Sequence, residues 1–201
     1  MHKILFIFYL LTSCITQEAT TYDFNTGDII FHTSKSSQSQ AIQAITNSKY
    51  SHVGVIYKLN GELYVFEAIQ PVSLTPLRTF ISRGKGKKFT VKRLKNTSII
   101  NNNNFSDAYV YARKQVGKNY DSKFLWSDDR MYCSELVWKI YKQIGIEVGE
   151  IQTFSSFNFS SPEVTQIVRK RFPDGLPMNE LVVTPISIAN SNLLYTVYTN
   201  Y

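Results

Sequence analysis

The sequence predicts an α+β domain whose clearest elements are an antiparallel hairpin and an amphipathic helix. Three observations carry this. Two largely apolar runs, 52–58 and 63–68, are joined by Leu59-Asn60-Gly61-Glu62, and Asn-Gly between such runs is the strongest short hairpin signal. Residues 133–144 place Leu136, Val137, Ile140, Tyr141 and Ile144 on one helical face, with Gly145 as a stop. Residues 15–201 are enough for one domain with a sizeable core.

The first fourteen residues are set apart from that domain. Met1-His2-Lys3 is a short basic start, Ile4 to Leu11 is apolar, and Thr12-Ser13-Cys14 is small, the pattern of a secretory signal. The apolar run is far below the roughly 20 residues that span a bilayer. Leu11-Thr12-Ser13-Cys14 also resembles the bacterial lipoprotein signal, which makes Cys14 the candidate lipidation site and the membrane a partner through a lipid anchor. The alternative is ordinary cleavage near Ala19, which gives a periplasmic or secreted protein. Either way the chain reads as exported. Residues 15–25 are polar and read as a linker, with the folded domain over 26–201.

Along the domain, Asp28 to His32 reads as a strand entered through Gly27, and 41–45 as a short helix. The hairpin follows, then a strand near 89–94. The asparagines at 101–104 form a loop that caps a helix over 105–116, ended by Gly117. Ser161-Pro162-Glu163 opens a further helix, and a late strand lies near 193–198. The formal charge is +7, concentrated at Arg83 to Lys88, Lys92-Arg93 and Arg169 to Arg171. These read as solvated loop and outer strand face. An exported chain without a binding motif is a poor candidate for nucleic acid.

Cys133 is the thiol that matters. Cys14 lies in the signal, so the domain holds one cysteine and no internal disulfide. It opens the 133–144 helix, where the positive end of the helix dipole favours a thiolate and free first-turn N–H groups can hold an oxyanion. Its base comes from the hairpin. A two-residue Asn60-Gly61 turn sets Leu59 opposite Glu62 and Gly54 opposite Glu67, with His52 opposite Ile69. His52 and Glu67 then share a face as diagonal neighbours, within reach of long side chains. A carboxylate beside one imidazole nitrogen orients the ring and aims the other nitrogen outward. His32, at the end of its strand, is the rival base. His32, His52, Glu67 and Cys133 include no close-spaced ligand pair, so no metal site is expected. No Gly-x-Ser-x-Gly elbow supports a serine hydrolase. A buried structural cysteine remains the plain alternative.

The ordered set Gly27-Asp28-Ile29-Ile30-Phe31, Ser51-His52-Val53-Gly54-Val55, Phe66-Glu67-Ala68, Gly117-Lys118-Asn119-Tyr120-Asp121 and Tyr132-Cys133-Ser134-Glu135-Leu136-Val137 resembles the permuted papain-like hydrolases of the YiiX type. These belong to the NlpC-type cysteine peptidase superfamily. The match spans roughly residues 25–145, and histidine precedes cysteine, as circular permutation of papain requires. The resemblance implies a circularly permuted papain-like fold, an antiparallel sheet or half-barrel packed against the helix carrying the nucleophile. It implies Cys133 as nucleophile, His52 as base and Glu67 as the orienting residue. Tyr132 would shape the oxyanion site, and Tyr120 and Asp121 would line the cleft. Asp28 matches a recurrent Gly-Asp, more often a turn or cap than a catalyst. The expected function is cleavage of an amide through a thioester, on a peptide or amino-acid amide such as a cell-wall peptide, with no cofactor. A lipid or acyl-group hydrolase or acyltransferase, or a non-catalytic binding module, are the alternatives.

Overall fold

The computed structural model describes residues 22–100 and 104–201. Its strands are β1 (Ile29–Ser34), β2 (His52–Leu59), β3 (Glu62–Glu67), β4 (Ser73–Pro76), β5 (Gly84–Leu94), β6 (Asn119–Tyr120), β7 (Arg130–Met131), β8 (Gln152–Thr153), β9 (Leu181–Val182) and β10 (Leu194–Thr199). Its α-helices are α1 (Ser37–Thr46), α2 (Leu77–Arg83), α3 (Asn104–Gln115), α4 (Cys133–Lys142), α5 (Pro162–Arg171) and α6 (Pro185–Ala189). Six strands form one antiparallel sheet in the order β10-β5-β1-β2-β3-β4.

The hairpin forms in the register read from the sequence, with Leu59 paired to Glu62 and Gly54 to Glu67. Asn60 and Gly61 both have positive φ, 50° and 84°, as the two central residues of a type I′ turn must. Gly54 is required by the close approach of β3. A Cβ there would lie 2.4 Å from Val65 Cγ1 and 2.7 Å from the Phe66 carbonyl oxygen, so only glycine lets β3 approach.

Both faces of the sheet are covered, which is why its central strands read as near-continuous apolar runs. Ile29, Phe31, Val53, Val55, Tyr57 and Phe66 meet α3 and α4 in the larger core. Ile30, Ile56, Val65, Phe89 and Val91 meet Leu77, Phe80 and Ile81 of α2. Leu136, Val137, Ile140 and Tyr141 are the buried stripe of α4, and α4 packs on β2 and β3.

The structure extends several expectations. The linker expected over 15–25 ends sooner. Tyr22 and Phe24 stack with ring centroids 5.1 Å apart, and Phe24 is buried against Phe89 and Tyr198. Two aromatic side chains therefore tie the start of the described chain to the sheet. The helix expected at 41–45 begins earlier, at Ser37, because the Ser36 hydroxyl accepts from the Ser39 N–H and caps it. The strand expected at 89–94 begins at Gly84, so most of the basic run expected as a loop is the first half of β5. β4 and α2 carry no clear sequence signal and add to the expected elements. The signal segment, Cys14 and Asn101 to Asn103 lie outside the described residues.

Candidate active site

Cys133 is the first residue of α4, with Tyr132 as its N-cap. It is a free, buried cysteine. The first intrahelical bond runs from the Leu136 N–H to the Tyr132 carbonyl. The N–H groups of Cys133 and Ser134 precede it, in the part of a helix that has no internal acceptor. Glu135 holds the cap from below: its Oε2 accepts from the Tyr132 N–H at 3.2 Å. Burial pushes the Glu135 carboxyl up to about 7, against the opposing pull of Lys139, whose Nζ donates to Oε1 at 2.8 Å.

His52 is the first residue of β2 and Glu67 the last of β3. His52 Nε2 lies 2.7 Å from Glu67 Oε2, which leaves Nδ1 as the nitrogen free for another partner. Burial acts to lower the His52 pKa. Hydrogen bonding to Cys133 and Glu67, together with their charges, outweighs it and raises the group to about 9. Phe80 of α2 stacks on the His52 ring at 5.5 Å and limits its rotation. Glu67 is fully buried. Burial acts to raise its pKa, but His52, Thr75 and Arg83 together hold the carboxyl below its ordinary value.

Arg83 is a residue that sequence reasoning missed. It ends α2, and its Nη2 donates to Glu67 Oε1. In the sequence it reads as the first member of a basic run. Only the turn from α2 into β5 aims it back at the hairpin.

His32, the rival base, is brought beside the site without entering it. It pairs with His52 across β1 and β2, and its ring packs 5.0 Å from His52 and 4.5 Å from Phe80. Burial first, and the neighbouring His52 second, lower its pKa to about 3. It is a neutral side chain in the wall behind His52.

The remaining candidates divide. Tyr120 lines the same cleft as His52, and its hydroxyl accepts from Gln38 Nε2 at 2.7 Å. Asp121 instead forms the turn after β6: its carboxylate accepts from the N–H groups of Lys123 and Leu125, each at 2.8 Å. The Tyr132 hydroxyl is directed at the Val183 N–H, 3.2 Å away, rather than toward the helix N-terminus. Asp28 is a structural ion. It accepts from Arg93 Nε and Nη2 at 2.7 and 2.8 Å and from the Asn25 N–H at 2.8 Å. It also precedes β1 at the end of that strand away from His32.

Comparison with known proteins places the chain. The family model for the permuted papain-like amidases YaeF/YiiX, family C92, matches residues 23–198. The YiiX protein of Escherichia coli strain K12 is 40% identical over 190 residues, covering 94% of this chain and 93% of that one. The crystal structure of the metalloprotein yiiX from Escherichia coli O157:H7 is similar with a TM-score of 0.83 and 40% identity, covering 90% of this chain and 99% of that one. The chain belongs to the C92 family of permuted papain-like amidases.

Proposed function

We propose that the protein is a cysteine amidase in which Cys133 is the nucleophile, His52 the general acid and base, and Glu67 the residue that orients His52. The observation that carries this reading is His52 itself. Its Nε2 is held by a buried carboxylate at 2.7 Å, while the thiol of Cys133 acts on the same ring. A histidine raised to about 9 is an imidazolium at neutral pH, the state that favours a thiolate beside it.

The thiolate attacks the amide carbonyl, and the developing oxyanion is met by the N–H groups at the start of α4. Imidazolium gives its proton to the leaving amine. Water, deprotonated by the same ring, then releases the acid from the thioester. Arg83 and Thr75 keep Glu67 ionised, so the carboxylate stays an acceptor throughout. The solved yiiX is described as a metalloprotein. Among the described residues here, no group of three or more His, Cys, Asp or Glu side chains has an arrangement that could hold a metal ion.

The N-terminal sequence supports a further part of the proposal, that the enzyme acts outside the cytoplasm, tethered through a lipidated Cys14. Loss of membrane association in a Cys14→Ala variant of the full chain tests it. The catalytic reading is tested by the alkylation rate of Cys133 against pH, beside a His52→Ala variant. Fast labelling that persists below neutral pH and slows in the variant is expected. Labelling that rises only near the free-thiol pKa, unaffected by the variant, refutes the pairing.

A further inference from the structure

From Ala68 to Ser106 the sequence contains no Asp or Glu, yet this stretch holds much of the positive charge. Arg83 and Arg93 are engaged by Glu67 and Asp28. Arg78 of α2 and Lys85, Lys87 and Lys88 of β5 are exposed. Among the described residues no carboxylate pairs with these four. The pairing of β5 with β1 slips between His32–Phe89 and Ser34–Gly84, so residues 85–88 bulge out of the ladder. Gly86 and Lys87 have positive φ, 65° and 55°, and a lysine therefore stands where the backbone favours glycine. Asn200 fastens the bulge. Its Oδ1 accepts from the Phe89 N–H at 2.7 Å, and its Nδ2 donates to the Lys87 carbonyl at 3.4 Å.

Aromatic rings flank these charges. Phe89, which follows Lys88, stacks on Tyr198 with centroids 4.8 Å apart. Tyr22 packs edge-on against both, at 5.5 and 5.7 Å. Tyr22 and Tyr198 are only partly buried. Tyrosines with a packed ring and a wet edge suit the interface of a bilayer. On α2, Leu77, Phe80 and Ile81 share a core cluster with Phe24 and Phe89, which leaves the exposed Arg78 on the outer side. The exposed acid beside Tyr22 in the chain is Asp23, a single charge against four.

Two features give this face its occupant. Tyr22 opens the described chain, and the stretch from Cys14 to Tyr22 reaches at most about 28 Å when fully extended. A lipid anchor at Cys14 therefore holds the Tyr22 side of the domain within that reach of a bilayer. His32 pairs with both His52 and Phe89, so the basic bulge also stands at the His52 end of the sheet.

We propose that Arg78, Lys85, Lys87 and Lys88, framed by Tyr22 and Tyr198, form a docking face for the anionic phospholipid surface to which Cys14 tethers the chain. This goes beyond the amidase reading and rests on the lipid-anchor reading of the N-terminus. The anchor sets the distance and the charged face sets the orientation, with the His52 end of the sheet held at the membrane. Each Lys or Arg near an anionic surface favours binding about fivefold.

The test is vesicle flotation of the full chain, on phosphatidylcholine alone and on phosphatidylcholine with phosphatidylglycerol. The readout is the ratio of partition onto anionic and neutral vesicles, in which the contribution of an apolar N-terminal segment cancels. It is measured in Cys14→Ala, at a vesicle concentration that leaves part of the protein unbound on both. Arg78→Gln, Lys85→Gln, Lys87→Gln and Lys88→Gln should each lower the ratio about fivefold. Lys95→Gln, beyond the other end of β5, should leave it unchanged. The ratio should fall toward unity in 1 M salt, where the Debye length is about 3 Å. Unaltered alkylation of Cys133 shows that each variant is folded. A ratio near unity at low salt, or an equal fall in Lys95→Gln, overturns the docking face. Capture by soluble polyphosphate with a vesicle ratio near unity also overturns it and gives the face to a polymer. The anchor is read separately on neutral vesicles. Equal flotation of wild type and Cys14→Ala there removes the tether, while a ratio that depends on the four residues keeps the docking face.

Discussion

Replacing Glu67 by glutamine tests the electrostatic core of the site. Glu67 offers one oxygen to His52, at 2.7 Å, and the other to Arg83. An amide of the same shape has a single oxygen. It can serve one of these donors, and its NH₂ must then face the other. A hydrogen bond to a charged group is worth about 1.5–3 kcal/mol and a neutral one about 0.5–1.5. The loss at His52 is therefore about 1–2 kcal/mol. At about 1.4 kcal/mol per pKa unit this lowers His52 by about one unit. The remainder of its elevation belongs to Cys133, which also raises it.

The sign for stability follows from the same shift. His52 is raised from 6.5 to about 9 on folding. Its contribution is complete below the ordinary imidazole value and is lost as pH rises through about 9. In the variant that loss still begins at the ordinary imidazole value but is complete about one unit lower. The assay is an NMR titration of the His52 ring, paired with the pH profile of Cys133 alkylation. Both midpoints should move down together. A His52 titration that stays in place would falsify the view that Glu67 supports the imidazolium.

Two further outcomes follow from the fold. Gly54→Ala puts a methyl group against Val65 and the Phe66 carbonyl, which backbone cannot easily avoid. It should cost about 1–3 kcal/mol in urea unfolding and slow Cys133 alkylation by displacing Glu67. An unchanged unfolding midpoint would show that β2 and β3 separate freely. Asp28→Asn leaves Arg93 without its charged partner and should cost about 2–3 kcal/mol, below the ~3–5 of a fully buried pair because Arg93 keeps some solvent contact. Alkylation of Cys133 in the folded variant should be unaltered. A changed pH profile there would return Asp28 to the site.

The primary sequence alone determined the parts of this protein that rest on local rules. Asn60-Gly61 can only turn one way at low cost, so the register that sets Gly54 opposite Glu67 is written into the dipeptide. The apolar stripe of α4 and the glycine after it placed Cys133 at a helix start. The spacing of His52 and Glu67 followed from the two-residue period of strands. Tertiary structure decided what those rules do not reach. Arg83 reads as one of several basic residues until the short helix α2 aims it at Glu67. His32 and His52 look alike in sequence, and only burial among His52, Phe80 and β1 makes His32 a neutral wall residue. Asp28 and Asp121 resemble site residues, yet Arg93 and two backbone N–H groups claim them. Phe124, Phe154, Phe157 and Phe172 follow no period, because they come from loops and helix ends. They become one apolar wall only when α5 and the chain before it close over Cys133. Periodicity reports which face a residue takes on its own element. Which elements then meet is settled by long-range burial, and that is where the apolar cavity beside Cys133 is made.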